Sequence, residues 1–94
     1  MESSHRVVTL GVIDPTGELR IYTTVTCGQC WVLKLWLKRQ AIPYKEIGIE
    51  NDAEARRFVR RVANGYMSVP IVVLPDGRVL VEPTPAQVRA GLAP

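Results

Sequence analysis

Residues Thr23 to Leu33 read TTVTCGQCWVL and hold both cysteines of the chain, Cys27 and Cys30, two residues apart. Just upstream, ELRIYTTV (18–25) brings Ile, Tyr, Thr and Val together over a short span, the composition of a strand. Just downstream, a helix is expected from near Cys27 to about Gln40. Cys27 therefore falls at a strand-to-helix turn, as the helix N-cap. Free N–H groups and the positive end of the helix dipole stabilise a thiolate there. A favoured thiolate means more of the reactive form near neutral pH. Cys30 is one turn on and points the same way but further inward, placed to attack a mixed disulfide formed on Cys27. Gly28 lets the backbone turn and leaves room for a substrate sulfur to approach.

Two other readings of the pair remain open. Mononuclear zinc needs about four ligands. The chain offers one CxxC and one histidine, His5, so a metal site needs a second chain or an external thiol. Inert buried cysteines fit poorly with a glycine-containing exposed turn. Along the helix, Trp31, Val32, Leu33, Leu35, Trp36 and Leu37 circle most of the axis, so most of it is expected to be buried. Trp31 reads as a core aromatic; the alternative is a half-exposed ring beside the cysteines that touches partners. Lys34 and Lys38 form one basic stripe, and Pro43 disfavours helix at Ile42.

Working outward, YKEIGI (44–49) alternates polar and apolar residues as a second strand does. In NDAEARRFVRRVANG (51–65), Asn51 reads as the N-cap with Glu54 closing a capping box. Ala55, Phe58, Val59 and Val62 share one face, and Asn64-Gly65 supplies a left-handed stop. VPIVVL (69–74) and RVLVE (78–82) flank the tight turn PDG and form a hairpin. TPAQVRAGL (84–92) starts a last helix with Thr84 as N-cap, Pro85 first and Gln87 third. Val88 and Leu92 face the core. Pro70, at the head of a strand, reads either as a cis bond or as a proline that ends a loop.

With 94 residues the chain is one domain, and a chain this short buries roughly two-thirds of its unfolded surface. Hydrophobic residues are 47% and charged residues 22%, ordinary for a globular protein. No apolar run approaches the roughly 18 residues of a membrane span, so no membrane role is expected. MESSHR (1–6) lacks the apolar core of a secretory signal, and a cytoplasmic location is expected, where structural disulfides are rare. The net charge is +3 and the pI about 9.2. Much of this sits in EARRFVRR (54–61), read as a solvated helix face or as a landing surface for an acidic partner. Nucleic acid is not expected, since basic and aromatic residues do not interleave.

The order βαβαββα, CxxC at the start of the first helix, Val69-Pro70, and PDGRVL (75–80) before a Pro-Thr helix start resemble the glutaredoxin branch of the thioredoxin fold. The resemblance covers roughly Leu19 to Leu92 and is nearest to the mycoredoxins. It implies an α/β thioredoxin-like (glutaredoxin) fold with a central four-stranded mixed sheet and flanking helices. Residues 19–94 form the domain, and 1–18 an N-terminal extension. There, RVVTLGVI (6–13) reads as an added edge strand or packed tail. The resemblance implies that Cys27 is the nucleophile and Cys30 the resolving thiol. It also implies a cis Pro70 and a Val69 backbone that pairs with the bound thiol. Thr84 would help hold the carboxylate end of a low-molecular-weight thiol. Thr26, Gly28 and Gln29 complete the expected substrate-binding set.

The chain also departs from glutaredoxins. Gly28-Gln29 replaces the usual Pro-Tyr, Thr24 a frequent lysine, and VEPTP (81–85) the Gly-Gly with an acidic pair. These changes weigh against glutathione itself. Gln29 and GYMSVP (65–70) resemble NrdH-type redoxins, which thioredoxin reductase reduces and which feed ribonucleotide reductase. Their Trp-Ser-Gly-Phe-Arg-Pro stretch is absent. The expected function is thiol–disulfide exchange in a monomer, with no bound metal or cofactor. Its expected substrates are oxidised or S-thiolated proteins. Electrons would come from a low-molecular-weight thiol (mycothiol, bacillithiol or glutathione) or from a thioredoxin reductase. The rival of another class is an iron–sulfur cluster carrier bridging two chains through Cys27.

Overall fold

The computed structural model describes residues 17–93. The elements are β1 (Leu19–Thr23), α1 (Gly28–Arg39), β2 (Tyr44–Gly48), α2 (Ala53–Val62), β3 (Ile71–Val73), β4 (Val79–Val81) and α3 (Pro85–Leu92). The sheet order is β2-β1-β3-β4. β1 runs parallel to β2, in register from Leu19 with Tyr44 to Thr23 with Gly48. β3 is antiparallel to β1, and β4 to β3. This is the expected thioredoxin-like mixed sheet. The expected extra strand at RVVTLGVI lies outside the described residues.

Alternation along the strands divides the core in two. Leu19 and Ile21 of β1 pack with Leu33 and Leu37 of α1, Val72, Leu74 and Val88 of α3. Tyr22 points to the other face, where Ile49, Ile71 and Val73 meet Ala55 and Val59 of α2. The sheet thus carries α1 and α3 on one face and α2 on the other.

The breadth of burial expected for α1 is not found. Only Cys30, Leu33 and Leu37 are buried, a single stripe at positions i, i+3 and i+7. Trp31 is 63% exposed and Val32 51%, so Trp31 is not a core aromatic. The sheet covers one face of α1, and α3 does not reach round to the next. Trp36 leans on the core edge with the Arg89 guanidinium 5.3 Å from its ring centre. The α2 cap is also shifted. Asp52, not Asn51, is the N-cap, its side chain accepting the Ala55 N–H at 2.9 Å. The cause lies upstream: the Ile49 N–H still donates to Thr23 O, and the Asp52 N–H closes a turn on Ile49 O. The chain is therefore not free to turn helical one residue sooner. Asn64 and Gly65 end α2 with positive φ of 57° and 92°. The Gly65 N–H donates to Arg60 O at 2.6 Å. The capping box of α3, Thr84 with Gln87, is formed as the sequence suggests.

Glu46, on the α1 side of β2, accepts from the Thr23 hydroxyl and from Lys34 Nζ, both at 2.8 Å. The Lys34 hydrogen bond is the main cause that lowers its pKa below the ordinary 4.5, with Thr23 second. A carboxyl depressed on folding adds stability above its unfolded value and loses it as pH falls through the folded one. The side chain is 40% exposed, so the contribution is about 1 kcal/mol or less. Glu46→Gln should therefore lower stability at neutral pH by no more than that and leave it unchanged at about pH 2. Urea melts at the two pH values check this. Leu37, fully buried, sets a larger scale: Leu37→Ala should cost about 2–5 kcal/mol, whereas Val32→Ala should stay within about 0.5 kcal/mol. Equal losses in the same melts would contradict the single-stripe packing of α1.

Candidate functional site

β1 ends at Thr23, and the chain must turn before α1. The Cys27 N–H donates to Thr24 O at 3.3 Å, and the Val25 N–H donates to the Glu50 carboxylate at 2.6 Å. This pins the turn to the loop after β2. Cys27 has extended backbone, and its sulfur accepts the Cys30 N–H at 3.0 Å, making it the side-chain N-cap of α1. No acidic residue stands in the first turn, and Lys38 and Arg39 stand in the last. Within the helix itself no carboxylate opposes the field at Cys27. Cys27 is half-buried and Cys30 is 1% exposed. The two are joined in a disulfide, their Cα atoms 5.2 Å apart.

Val69 enters from the loop before β3. Its carbonyl oxygen lies 3.8 Å from Cys27 Sγ. Among the described residues its backbone makes no hydrogen bond, since the disulfide sulfur of Cys27 has no proton to donate. The Val69–Pro70 bond is cis. The Pro70 oxygen accepts the Glu82 N–H at 2.8 Å, tying this loop to the entrance of α3.

Gly28, Gln29 and Thr84, expected in one site, do line one groove of about 480 Å³ between the starts of α1 and α3. Trp31 lines it too, in keeping with the alternative reading of an exposed ring beside the cysteines, as do Val32, Glu82 and Pro83, which were not expected. The exposure of Trp31 and Val32 is the face they present to this groove. Thr26 is exposed in the turn before Cys27, outside the groove lining. The N–H donors of the α3 start are largely used. Thr84 N donates to Gln87 Oε1 and Gln87 N to Thr84 Oγ1, and Pro85 has none. Of the orphan donors a helix start offers, Ala86 N–H is left. Among the described residues, Glu82 lines the groove and no lysine or arginine does. Around the disulfide, Val25 and Met67 add exposed apolar surface two residues from Cys27 and Val69. Among the described residues, no group of three or more His, Cys, Asp or Glu could hold a metal ion, and no helix is long and apolar enough to cross a membrane.

A four-stranded mixed sheet of this order, with a CxxC disulfide heading its first helix, defines a thiol–disulfide redox protein of thioredoxin-like fold. The glutaredoxin family model matches residues 19–80, and the chain belongs to the glutaredoxin family. It is 42% identical over 77 residues to a protein of Mycobacterium tuberculosis named as a glutaredoxin, which covers 82% of this chain and 92% of the relative. It is 34% identical over 61 residues to a glutaredoxin-named protein of Synechocystis, covering 65% of this chain and 69% of the relative. Among solved structures, a point mutant of the thioredoxin-like protein BC3987 superposes with a TM-score of 0.70 at 28% identity, over 81% of this chain and 100% of that one. A glutaredoxin of Archaeoglobus fulgidus gives 0.61 at 26%, over 81% and 86%.

The groove lining predicts a charge preference. A thiol that carries a carboxylate meets Glu82 and no balancing cation. Glu82→Gln should raise turnover of a glutathione mixed disulfide by about two- to fivefold, the scale of one exposed charge pair. It should leave a neutral 2-mercaptoethanol mixed disulfide unchanged. Equal effects on both, measured as kcat/KM, would contradict the assignment.

Proposed function

We propose that this protein reduces mixed disulfides between proteins and a low-molecular-weight thiol, with Cys27 as the nucleophile. The observation that carries the reading is the capping contact of Cys27, whose sulfur accepts the Cys30 N–H at 3.0 Å at the head of α1. In the reduced protein the same N–H favours the thiolate. The Cys27 thiolate attacks the small thiol's sulfur, the bond to the protein substrate breaks, and the substrate leaves as its thiolate. A second small-thiol thiolate then attacks the adduct on Cys27. The two small thiols leave as their disulfide, and Cys27 is regenerated. Alternatively Cys30 attacks Cys27, releasing the small thiol and leaving the Cys27–Cys30 disulfide.

Val69, whose backbone makes no hydrogen bond among the described residues, would align the adduct as a strand edge does. Gly28, Gln29, Trp31 and Thr84 would line the rest of the small thiol, with Thr26 at the rim. With one free amide at α3 and Glu82 opposite, the groove suits a thiol of neutral, ring-bearing character better than glutathione. That chemistry favours mycothiol among the candidates, since bacillithiol, like glutathione, carries carboxylates.

The reductase-fed redoxin reading keeps one point in its favour, the Gln29 and GYMSVP stretch. It differs in needing Cys30 for every turnover. Under the proposed cycle, Cys30→Ser should stay within about tenfold of the parent on a small-thiol mixed disulfide. It should lose reduction of a protein disulfide, and Cys27→Ser should lose both. If Cys30→Ser were inert with every small thiol while the parent ran on thioredoxin reductase, the redoxin reading would replace this one. A coloured protein as purified, with cluster absorbance, would favour the cluster carrier instead.

A further inference from the structure

On the sheet face opposite α1, a second cleft of about 600 Å³ opens between α2 and strands β1 and β2. It shares no residue with the redox groove. Its floor is apolar, made by Ile47, Phe58 and the ring of Tyr22. Its rim is basic: Arg20 and Lys45 from the strands, Arg57 and Arg61 from α2.

Two features separate this cleft from an ordinary solvated face. Arg61 is not free in solvent, since its guanidinium lies over the Phe58 ring, 5.7 Å from the centre. Tyr22 is only 6% exposed, lines the cleft, and its hydroxyl has no hydrogen-bond partner among the described residues. Burial is the main cause that raises its pKa, with Arg20 lowering it and Asp52 raising it. It therefore remains a donor at neutral pH. An anionic oxygen entering the cleft would meet that donor and the rim cations together.

The spacing restricts the shape of the ligand. Arg57 and Arg61 are one helical turn apart, about 6 Å along the axis. In an extended chain, residues i and i+2 point the same way and lie about 6.6 Å apart. Asp52 and Glu54, at the start of α2, also line the cleft and would repel a compact polyanion such as a nucleoside triphosphate. An extended segment can set its carboxylates against the arginines and leave the start of α2 alone. We propose that this cleft is a docking site for an extended acidic segment of a partner protein, with acidic residues at alternate positions.

The test is a nitrogen-15 NMR titration of the full-length protein at low salt with the peptide Glu-Ser-Glu-Ser-Glu. Saturable shifts should be confined to Lys45, Arg57, Phe58, Arg61 and Tyr22. The peptide Gln-Ser-Gln-Ser-Gln should give none. The double variant Arg57→Gln, Arg61→Gln should weaken binding by about tenfold or more. It should reduce 2-hydroxyethyl disulfide as the parent does, because these side chains lie outside the redox groove and are exposed. The proposal is overturned if the shifts scatter over the surface, if no saturation is reached below about 1 mM, or if the double variant binds like the parent. It is also overturned if inorganic pyrophosphate displaces the peptide at equal or lower concentration, which would make the cleft a small-anion site. Because the redox assay is read separately, failure here leaves the Cys27 chemistry untouched.

Discussion

Parallel pairing of β1 with β2 obliges the chain to cross back over the sheet before the second strand can begin, and α1 is that crossing. The turn between β1 and α1 must then lie at the C-terminal end of β1, and whatever residue occupies its last position becomes the helix N-cap. In this chain that residue is Cys27. The Cys30 N–H needs an acceptor that the helix cannot provide, and the Cys27 sulfur supplies it at 3.0 Å. The Cys27 sulfur is held by the same bond that starts the helix. Val69 is brought to it because β3 pairs with β1 on the other side from β2.

The small groove depends on the same frame. α1 and α3 lie on one face of the sheet, so their starts converge beside Gly28 and Thr84. Glu82 occupies the bend between them with a positive φ of 49°, its amide fixed on the Pro70 oxygen. The loop before β3 and the start of α3 are thereby linked by backbone, not by side chains. The groove is lined by few side chains: Trp31 and Val32, left uncovered because α1 buries one stripe, and Glu82 among them.

The strands, both hairpin arms, the α3 capping box and the cysteine placement were legible because each depends on local chemistry: β-branched runs, PDG, Thr84 with Gln87. The misreadings have a common origin in tertiary context. Apolar residues all round α1 suggested burial all round, yet burial needs a partner surface, and the sheet gives one. Asn51 and Asp52 are equally good caps by type; the bond from Ile49 to Thr23 chose between them. Glu82 and Pro83 carry no motif, and their place in the groove follows from the hairpin geometry. The arginines of EARRFVRR were visible as charge. That Arg57 and Arg61 face Lys45 across an apolar floor could not be read without the register of β1 on β2.

The central claim is that the fold itself, through the N-cap position, activates Cys27. It is tested most directly by comparing the reduced protein with a reduced peptide spanning Thr23 to Leu33. Both would be treated with limiting iodoacetamide at pH 7, with the modified cysteine located by mass spectrometry. The account predicts that Cys27 in the folded protein reacts at least about tenfold faster than in the peptide, and well before Cys30. Equal rates in protein and peptide, or first reaction at Cys30, would contradict it.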